Sequence, residues 1–323
     1  MLRVEILLTG ASGFVGSLLL PRLLEQGHAV TALTRDPERL AATLAGAGGP
    51  QPRILGGDAV SGAGLREALD GIELAFYLIH SMERGSGGVS FVERERDAAG
   101  NFAEAAARSG LRRIVYLGGL VPHWSPSGAS KGPPRASRHL ASRHAVEEIL
   151  MQAIPDSLAL RASIVIGARS RSFRLLVRLL ERMPVIALPA WERFRTQPID
   201  ERDLTAMLLA CATSRLSGEV LEIGGPDVLT YGEILARIAE LMLIGRPALR
   251  IGVNMTGLAG RLAAAIATED PELVVPLMEG LQGDLLPRAD HAAERLGVRL
   301  HSFNAAVEHA LAEWELTEPL AAR

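Results

Sequence analysis

Three glycines spaced three residues apart, Gly10, Gly13 and Gly16, follow directly after an apolar run near the start of the chain. Gly10 permits a tight turn, and Gly13 lets the backbone approach a phosphate without an intervening Cβ. Gly16 allows the following helix to pack closely on the strand. The N–H groups at the start of that helix, together with its dipole, favour a bound anion. The spacing therefore predicts a strand, loop and helix that bind the pyrophosphate of a nicotinamide dinucleotide.

The residue that ends the second predicted strand decides between NAD and NADP. Arg35 lies at that end, and Arg39 follows one helical turn later, which favours a 2′-phosphate. Asp36 precedes Pro37 and is interpreted as a helix cap with proline in the first helical position. A register shift of one residue would instead put Asp36 against the ribose hydroxyls and favour NAD. The predicted cofactor is NADP, with NAD as the alternative.

The elements that must position these residues alternate between short apolar runs and helical patterns. The predicted strands are 4–8, 29–34, 53–55, 74–79, 114–117, 158–166 and 220–223, and the predicted helices lie near 13–26, 64–69, 90–109, 138–152 and 201–213. The strands of the first two-thirds are continuously apolar, which is typical of strands covered on both faces. Right-handed crossovers then predict an α/β fold with a doubly wound parallel sheet of the Rossmann type.

Two lobes are predicted. Residues 1–166 form the dinucleotide-binding domain, with strands returning to it from about 196–225, and residues 167–195 and 226–323 form a smaller, mainly helical lobe for substrate or effector. One helix of that lobe carries several arginines within a narrow arc. With Arg169, Arg193 and Arg195, the arginines at 171, 174, 178 and 182 could recognise an anionic substrate, lie at a membrane surface, or form an ordinary solvated face.

Composition excludes several classes of function. The net charge of −3 and an aromatic content of 4% argue against nucleic-acid binding. Cys211 is the only cysteine, so no disulfide framework is expected, and no metal site is predicted from the spacing of carboxylates and histidines. No apolar run reaches 18 residues, and charges interrupt the first residues, so we expect no membrane span and a cytoplasmic protein.

The segment Thr9-Gly10-x-x-Gly13-x-x-Gly16 resembles the fingerprint of the extended and atypical short-chain dehydrogenase/reductases, and the likeness continues over most of the chain. Similar segments lie at 57–58, 78–81, 101–106, 160–167, 197–200 and 222–226. Within the superfamily the chain resembles the NmrA-like atypical branch. The resemblance implies an adenine contact at Asp58, a loop beside the adenosine ribose at 78–81, and a nicotinamide pocket along 160–167.

The chain departs from the family pattern where proton chemistry is expected. Gly118 and Gly119 stand where the family has Ser or Thr, and the Tyr-x-x-x-Lys helix motif reads His139-x-x-x-Arg143. These two residues lie one helical turn apart and therefore on one face. One interpretation makes His139 the acid/base and Arg143 the cofactor clamp. The other makes both of them polar remnants that line a cofactor pocket.

Lesser candidates for chemistry are Tyr77, His80, His123 and Lys131. The predicted cofactor-binding residues combine the glycine loop, the two arginines and the residues implied by the resemblance. They are Thr9, Gly10, Ser12, Gly13, Phe14, Val15, Gly16, Arg35, Arg39, Asp58, Ala59, Leu78, Ile79, His80, Gly118, Arg143, Ala162 and Ile164.

The predicted site is compatible with three alternative functions. The first is an NADP(H)-dependent oxidoreductase that acts on a small carbonyl or alkene without the usual Ser, Tyr and Lys. The second is a non-catalytic sensor or assembly protein whose contact with a protein partner changes with NADP(H) occupancy. The third is a sugar-nucleotide epimerase or dehydratase, whose chemistry the missing tyrosine makes difficult, because hydride removal needs a base on the hydroxyl. The sequence does not identify the small-molecule substrate or effector.

Overall fold

The structure is a computed structural model, and it describes residues 3–46, 48–79, 91–121, 138–251, 283–288 and 291–320. Three of the predicted functional residues, His80, His123 and Lys131, lie outside the described residues. His139 lies in a described helix, but its side chain is outside the described part.

The chain alternates strands and helices in the order that the hydrophobic pattern predicts. The strands are β1 Glu5–Thr9, β2 Ala29–Thr34, β3 Arg53–Gly56, β4 Leu74–Tyr77, β5 Arg113–Gly119, β6 Leu158–Ala162, β7 Val165–Ile166, β8 Ile186–Pro189, β9 Arg195–Thr196, β10 Ile199–Asp200, β11 Glu219–Ile223, β12 Leu229–Thr230 and β13 Ala248–Ile251. The helices are α1 Phe14–Glu25, α2 Pro37–Leu44, α3 Leu65–Leu69, α4 Phe91–Ser109, α5 Arg138–Ala153, α6 Arg171–Arg182, α7 Glu201–Thr213, α8 Tyr231–Leu241, α9 Ala292–Arg295 and α10 Phe303–Glu315.

Seven of these strands form one sheet in the order β11-β6-β5-β4-β1-β2-β3, and all of its neighbouring strands are parallel. The order reverses at β1, because the chain first builds outward to β3 and then returns to place β4 on the other side. The predicted Rossmann fold with a doubly wound parallel sheet is therefore confirmed. The carboxyl ends of all seven strands meet at one edge, where ligands bind in such sheets.

Helices cover both faces of the sheet. On one face, α1 and α7 pack buried leucines on β1, β2 and β6, and Cys211 is buried among them. On the other face, Phe102 of α4 and Leu150 of α5 pack on Tyr77 and Tyr116. Both faces of the strands are thus apolar, as their continuous hydrophobic runs require.

The predicted single strand over 158–166 is wrong, because the chain forms two strands there. Strand β6 ends at Ala162, and β7 pairs with β10 outside the main sheet. The Ser163 hydroxyl donates to the carbonyl of Gln197 (2.7 Å), and the Ile199 N–H donates to the carbonyl of Ile164 (2.9 Å). These bonds draw the backbone away from the ladder between β5 and β6.

A second core lies beyond the sheet. It is formed by buried side chains of α6, α8 and α10 together with Trp191. Arg174 and Arg178 of α6 lie over the ring of Trp314, with guanidinium carbons 4.2 and 4.9 Å from its centroid. Both arginines also pair with Glu318. These two arginines are therefore held within the protein, which favours neither a membrane-facing role nor an anion-binding role for them.

Candidate dinucleotide site

The glycine loop has the conformation that its spacing predicts. Gly10 has a φ of +71°, and a Cβ on it would lie 2.7 Å from the carbonyl oxygen of Leu78. A Cβ on Gly16 would lie 2.1 Å from the carbonyl oxygen of Gly10. Side chains at either position would therefore push the loop away from the ends of β1 and β4.

The start of α1 is open to an anion. Gly13 is its N-cap and supplies no side-chain hydrogen bond, and the first turn holds no acidic residue. Ser12 and Gly13 are exposed, whereas Phe14 and Val15 are half-buried. The first N–H groups of a helix have no partners within the helix, so this end offers donors and a positive dipole to a phosphate.

The Thr9 side chain forms hydrogen bonds that link the glycine loop to the neighbouring strand β4. Its buried hydroxyl donates to the carbonyl of Phe76 and accepts from the N–H of Leu78, both at 3.1 Å. This second bond explains why β4 ends at Tyr77, although the apolar pattern extends to residue 79. The Thr9 hydroxyl is thus used within the protein, and it positions Leu78 and Ile79 beside the glycine loop.

The end of β2 separates the roles of two neighbouring residues. The carboxylate of Asp36 accepts from the N–H of Arg39 (3.0 Å) and caps α2, with Pro37 in its first turn, as the sequence predicts. Arg35 and Arg39 are both exposed. The Asp36 carboxylate is therefore engaged as the cap of α2. The guanidinium groups of Arg35 and Arg39 lie near the end of β2.

The loop after β3 is held by a side chain of α4. The Asn101 amide donates to the carbonyls of Ala59 (3.1 Å) and Val60 (2.8 Å). The carboxylate of Asp58 accepts from the N–H of Val60 (2.9 Å). Asp58 is half-buried at the carboxyl end of β3, so the predicted adenine contact lies at the same edge as the glycine loop.

Arg143 joins the ends of β4 and β5. Its guanidinium donates to the carbonyls of Ile79 (3.4 Å) and Leu117, and lies 5.0 Å from the centroid of the Tyr116 ring. A nitrogen of the same group lies 4.0 Å from a carboxylate oxygen of Glu95, and the side chain is 11% exposed. Arg143 therefore lies at the edge where the cofactor is predicted to bind, and it is held on several sides by the protein.

The sequence did not predict a role for Glu95 at this site. It is buried in α4, and the Ser142 hydroxyl of α5 donates to it at 2.6 Å, so it lies beneath Arg143 as a counter-ion. Nothing in the local sequence distinguishes it from other glutamates of a polar helix, because its partners are 47 and 48 residues away along the chain.

The buried tyrosines at this edge are not set up to exchange protons. The Tyr116 hydroxyl donates to the carbonyl of Arg143 (3.0 Å), and Tyr77 packs against Phe102. Burial raises the pKa of both tyrosines well above the ordinary value. Neither of them would lose a proton near neutral pH, which weighs against Tyr77 as a substitute for the family's tyrosine.

The position of the family's serine faces a buried ion cluster. A Cβ on Gly118 would lie 3.7 Å from a carboxylate oxygen of Glu147. Arg161 binds both oxygens of Glu147 (2.5 and 2.9 Å) and also pairs with Glu222 (3.3 Å). This cluster satisfies the charges between α5, β6 and β11, and the sequence reasoning did not anticipate it.

The strand implied to line the nicotinamide pocket lies at the same edge. The carbonyl of Ala162 accepts from the N–H of Leu120 (2.9 Å), so β6 ends level with β5. Ile164 follows it, half-buried, at the point where the chain leaves the sheet. The predicted contacts of Ala162 and Ile164 with a nicotinamide remain predictions.

A further group of polar residues lies behind the glycine loop. A Cβ on Gly167 would lie 1.9 Å from a carboxylate oxygen of Glu201 and 2.9 Å from the ring of Phe14. The possible ligand atoms of Glu201, His309 and Glu313 lie within 4.8 Å of one another, a set from which a metal ion could take ligands. No metal site was predicted from the sequence, and no local pattern connects these residues, because α7 and α10 meet only in the folded chain.

Comparison with known protein families also indicates a dinucleotide-binding site in this part of the chain. A family model described as NAD(P)H-binding matches residues 10–162. Among the described residues, no helix is both long enough and apolar enough to cross a membrane.

Two curated relatives match parts of the chain. A 3 beta-hydroxysteroid dehydrogenase/Delta 5→4-isomerase of Mycobacterium tuberculosis is 34% identical over 119 residues, which cover 35% of this chain and 30% of that protein. Subunit 9 of the mitochondrial NADH dehydrogenase [ubiquinone] 1 alpha subcomplex of Arabidopsis thaliana is 26% identical over 239 residues, which cover 72% of this chain and 56% of that protein. The chain thus spans less than two thirds of the length of each relative.

The fold is also seen in solved structures. UDP-glucuronic acid 4-epimerase from Bacillus cereus, in complex with UDP-glucuronic acid and NAD, superposes with a TM-score of 0.72 at 18% identity, covering 97% of this chain and 100% of the other. At this identity the likeness concerns the fold alone. The NAD(P)H-binding match, the glycine loop and the strand order together show an NAD(P)-binding domain with a Rossmann fold, and they support the predicted resemblance to the extended and atypical short-chain dehydrogenase/reductases.

Proposed function

We propose that the protein binds NADP(H) in preference to NAD(H) at the carboxyl edge of its sheet. The observation that carries this proposal is the division of roles after β2, where Asp36 caps α2 while Arg35 and Arg39 are exposed beside it. An acidic residue engaged as a cap is less suited to the ribose hydroxyls of NAD. Two guanidinium groups suit the 2′-phosphate of NADP, because they offer charge and several donors.

We infer that the bound cofactor serves the reduction of a small carbonyl or alkene. The dinucleotide would supply a hydride, and the chain must then supply the proton that the reduced substrate takes up. His139 lies in the first turn of α5, one turn before Arg143. An imidazole has a pKa near neutrality and can donate that proton, whereas an arginine cannot.

A second candidate is an NADP(H)-binding protein without catalysis, which acts as a sensor or assembly partner. It is favoured by the contacts of Arg143, whose guanidinium is held by two carbonyls, by the ring of Tyr116 and by the nearby Glu95. Such a group serves as a structural link between strands. The likeness to a subunit of a mitochondrial NADH dehydrogenase [ubiquinone] supports the same candidate.

The sugar-nucleotide alternative has less support. It rests on a fold that this chain shares with a UDP-glucuronic acid 4-epimerase. Tyr77 and Tyr116 are buried and have raised pKa values, so neither supplies the base that removal of a hydroxyl proton requires.

Binding constants and turnover test these proposals in sequence. Fluorescence titration should give a lower Kd for NADPH than for NADH, and tighter NADH binding would contradict the NADP assignment. NADPH oxidation is then followed with a panel of carbonyl and enone compounds. The His139→Ala variant should lose about 100-fold in rate, whereas His144→Ala, a control five residues later on the same helix, should keep its activity.

A wild-type protein that binds NADPH but turns over no compound would favour the non-catalytic candidate. In that case, pull-downs with and without NADPH should recover different partners. Identical sets of partners would count against the sensor.

A further inference from the structure

Arg169 contacts a different kind of group from several other arginines of the second lobe. Arg174, Arg178 and Arg195 each pair with a carboxylate. Arg169 is exposed, and within the described part of the chain its side chain contacts a hydroxyl, with Nη1 donating to Oγ of Ser17 at 2.8 Å. Its positive charge is therefore not neutralised by any of the described carboxylates.

Ser17 places this charge beside the start of α1. The Ser17 N–H donates to the carbonyl of Gly13 (2.9 Å), so Ser17 lies one helical turn beyond the N-cap. Its hydroxyl donates to the carbonyl of Phe14 (2.9 Å) while it accepts from Arg169. A guanidinium that pairs with none of the described carboxylates thus lies within one turn of the N–H groups predicted to receive the pyrophosphate.

The segment that carries Arg169 is anchored on both sides. Ala168 and Ser170 are buried, and the Ser170 N–H donates to the carbonyl of Gly167 (3.0 Å). Gly167 itself lies against Phe14, as the 2.9 Å from its ideal Cβ to that ring shows. The backbone is therefore fixed on the glycine loop, while the long side chain of Arg169 extends into solvent from it.

We propose that Arg169 is a pyrophosphate-binding residue, whose guanidinium exchanges the Ser17 hydroxyl for phosphate oxygens when the dinucleotide binds. The inference rests on the proposed cofactor site and deepens it. A charge-assisted, bidentate contact with a phosphate is much stronger than a contact with a neutral hydroxyl, so the exchange is favourable. Because Arg169 lies two residues before α6, the contact would also join the second lobe to the cofactor.

The test compares Arg169→Ala with Arg171→Ala, a matched control for an exposed arginine two residues further along the chain. The Kd for NADPH is measured by fluorescence titration at low and moderate salt. Loss of a charged hydrogen bond should raise the Kd of Arg169→Ala about tenfold or more. It should also weaken the dependence of the Kd on salt. Arg169→Lys should recover part of the affinity, and Arg171→Ala should stay within about twofold of wild type.

A second ligand shows which part of the cofactor Arg169 contacts. Adenosine 2′-monophosphate carries the phosphate predicted for Arg35 but has no pyrophosphate, so Arg169→Ala should bind it as wild type does. An equal loss for this ligand and for NADPH would overturn the inference, as would an unchanged NADPH Kd in Arg169→Ala. A wild-type protein that binds neither ligand would instead overturn the proposed function, and this inference with it.

Discussion

The buried carboxyl of Glu201 predicts that the protein loses stability as the pH rises through neutrality. The pKa of Glu201 is raised to about 8, mainly by burial and then by the hydrogen bond with Glu313 and the negative charge of Glu313. In an unfolded chain the pKa of a glutamate is about 4.3. Between those values the folded protein keeps a proton that the unfolded chain has released. The free energy of unfolding therefore falls with rising pH, by at most ~1.4 kcal/mol per unit.

The charged groups around Glu201 set the size of this effect. Glu313 and Asp200 raise its pKa, whereas Arg202 lowers it. His309 is the other facing group, with Nε2 at 3.8 Å from a Glu201 oxygen. Full linkage from about pH 5.5 to 8 would remove ~3.4 kcal/mol. Because the carboxyl is already partly ionised as the pH approaches 8, we expect a somewhat smaller loss, of about 2 to 3 kcal/mol.

Urea unfolding at several pH values measures this loss. Glu201→Gln keeps a donor toward Glu313 but does not titrate, so its stability should change less over the same range, and it should be the more stable protein at pH 8. Glu308→Gln, an exposed glutamate on the same helix as His309 and Glu313, is the control and should follow wild type. Equal losses of stability in Glu201→Gln and wild type would refute the reasoning.

Three other substitutions test the site. Gly16→Ala places a Cβ 2.1 Å from a backbone oxygen of the glycine loop and should weaken NADPH binding about 100-fold or more. The control Gly46→Ala, which has open space around its Cβ, should bind NADPH as wild type does. Equal Kd values for the two variants would contradict this prediction. Arg35→Ala should raise the Kd of NADPH about tenfold or more and leave that of NADH nearly unchanged, and a parallel loss for both would refute the 2′-phosphate contact. Arg143→Met removes a cation 4.0 Å from the buried Glu95 and should cost about 3 kcal/mol in urea unfolding; a cost below about 1 kcal/mol would show that the pair is not structural.

The features that depend on local conformation could be predicted from the amino-acid sequence. The periods of its apolar runs predicted the parallel sheet, and α7 begins and ends as predicted. The spacing of Gly10, Gly13 and Gly16 predicted a turn with positive φ and the close approach of helix to strand. Asp36 before Pro37 predicted the cap of α2. Each of these is fixed by residues within a few positions of one another, so local physical rules suffice.

Which charged residues meet depends on how distant segments pack in the folded chain. Glu95 under Arg143, Glu201 against Glu313, and Arg169 on Ser17 join residues that are 48, 112 and 152 positions apart. The same holds for Thr9, whose bond to Leu78 ends β4 before its apolar run ends. Such contacts depend on how the helices pack across the sheet. No local pattern marks these residues, and the proposed roles of Arg143 and Arg169 could be argued only from the folded chain.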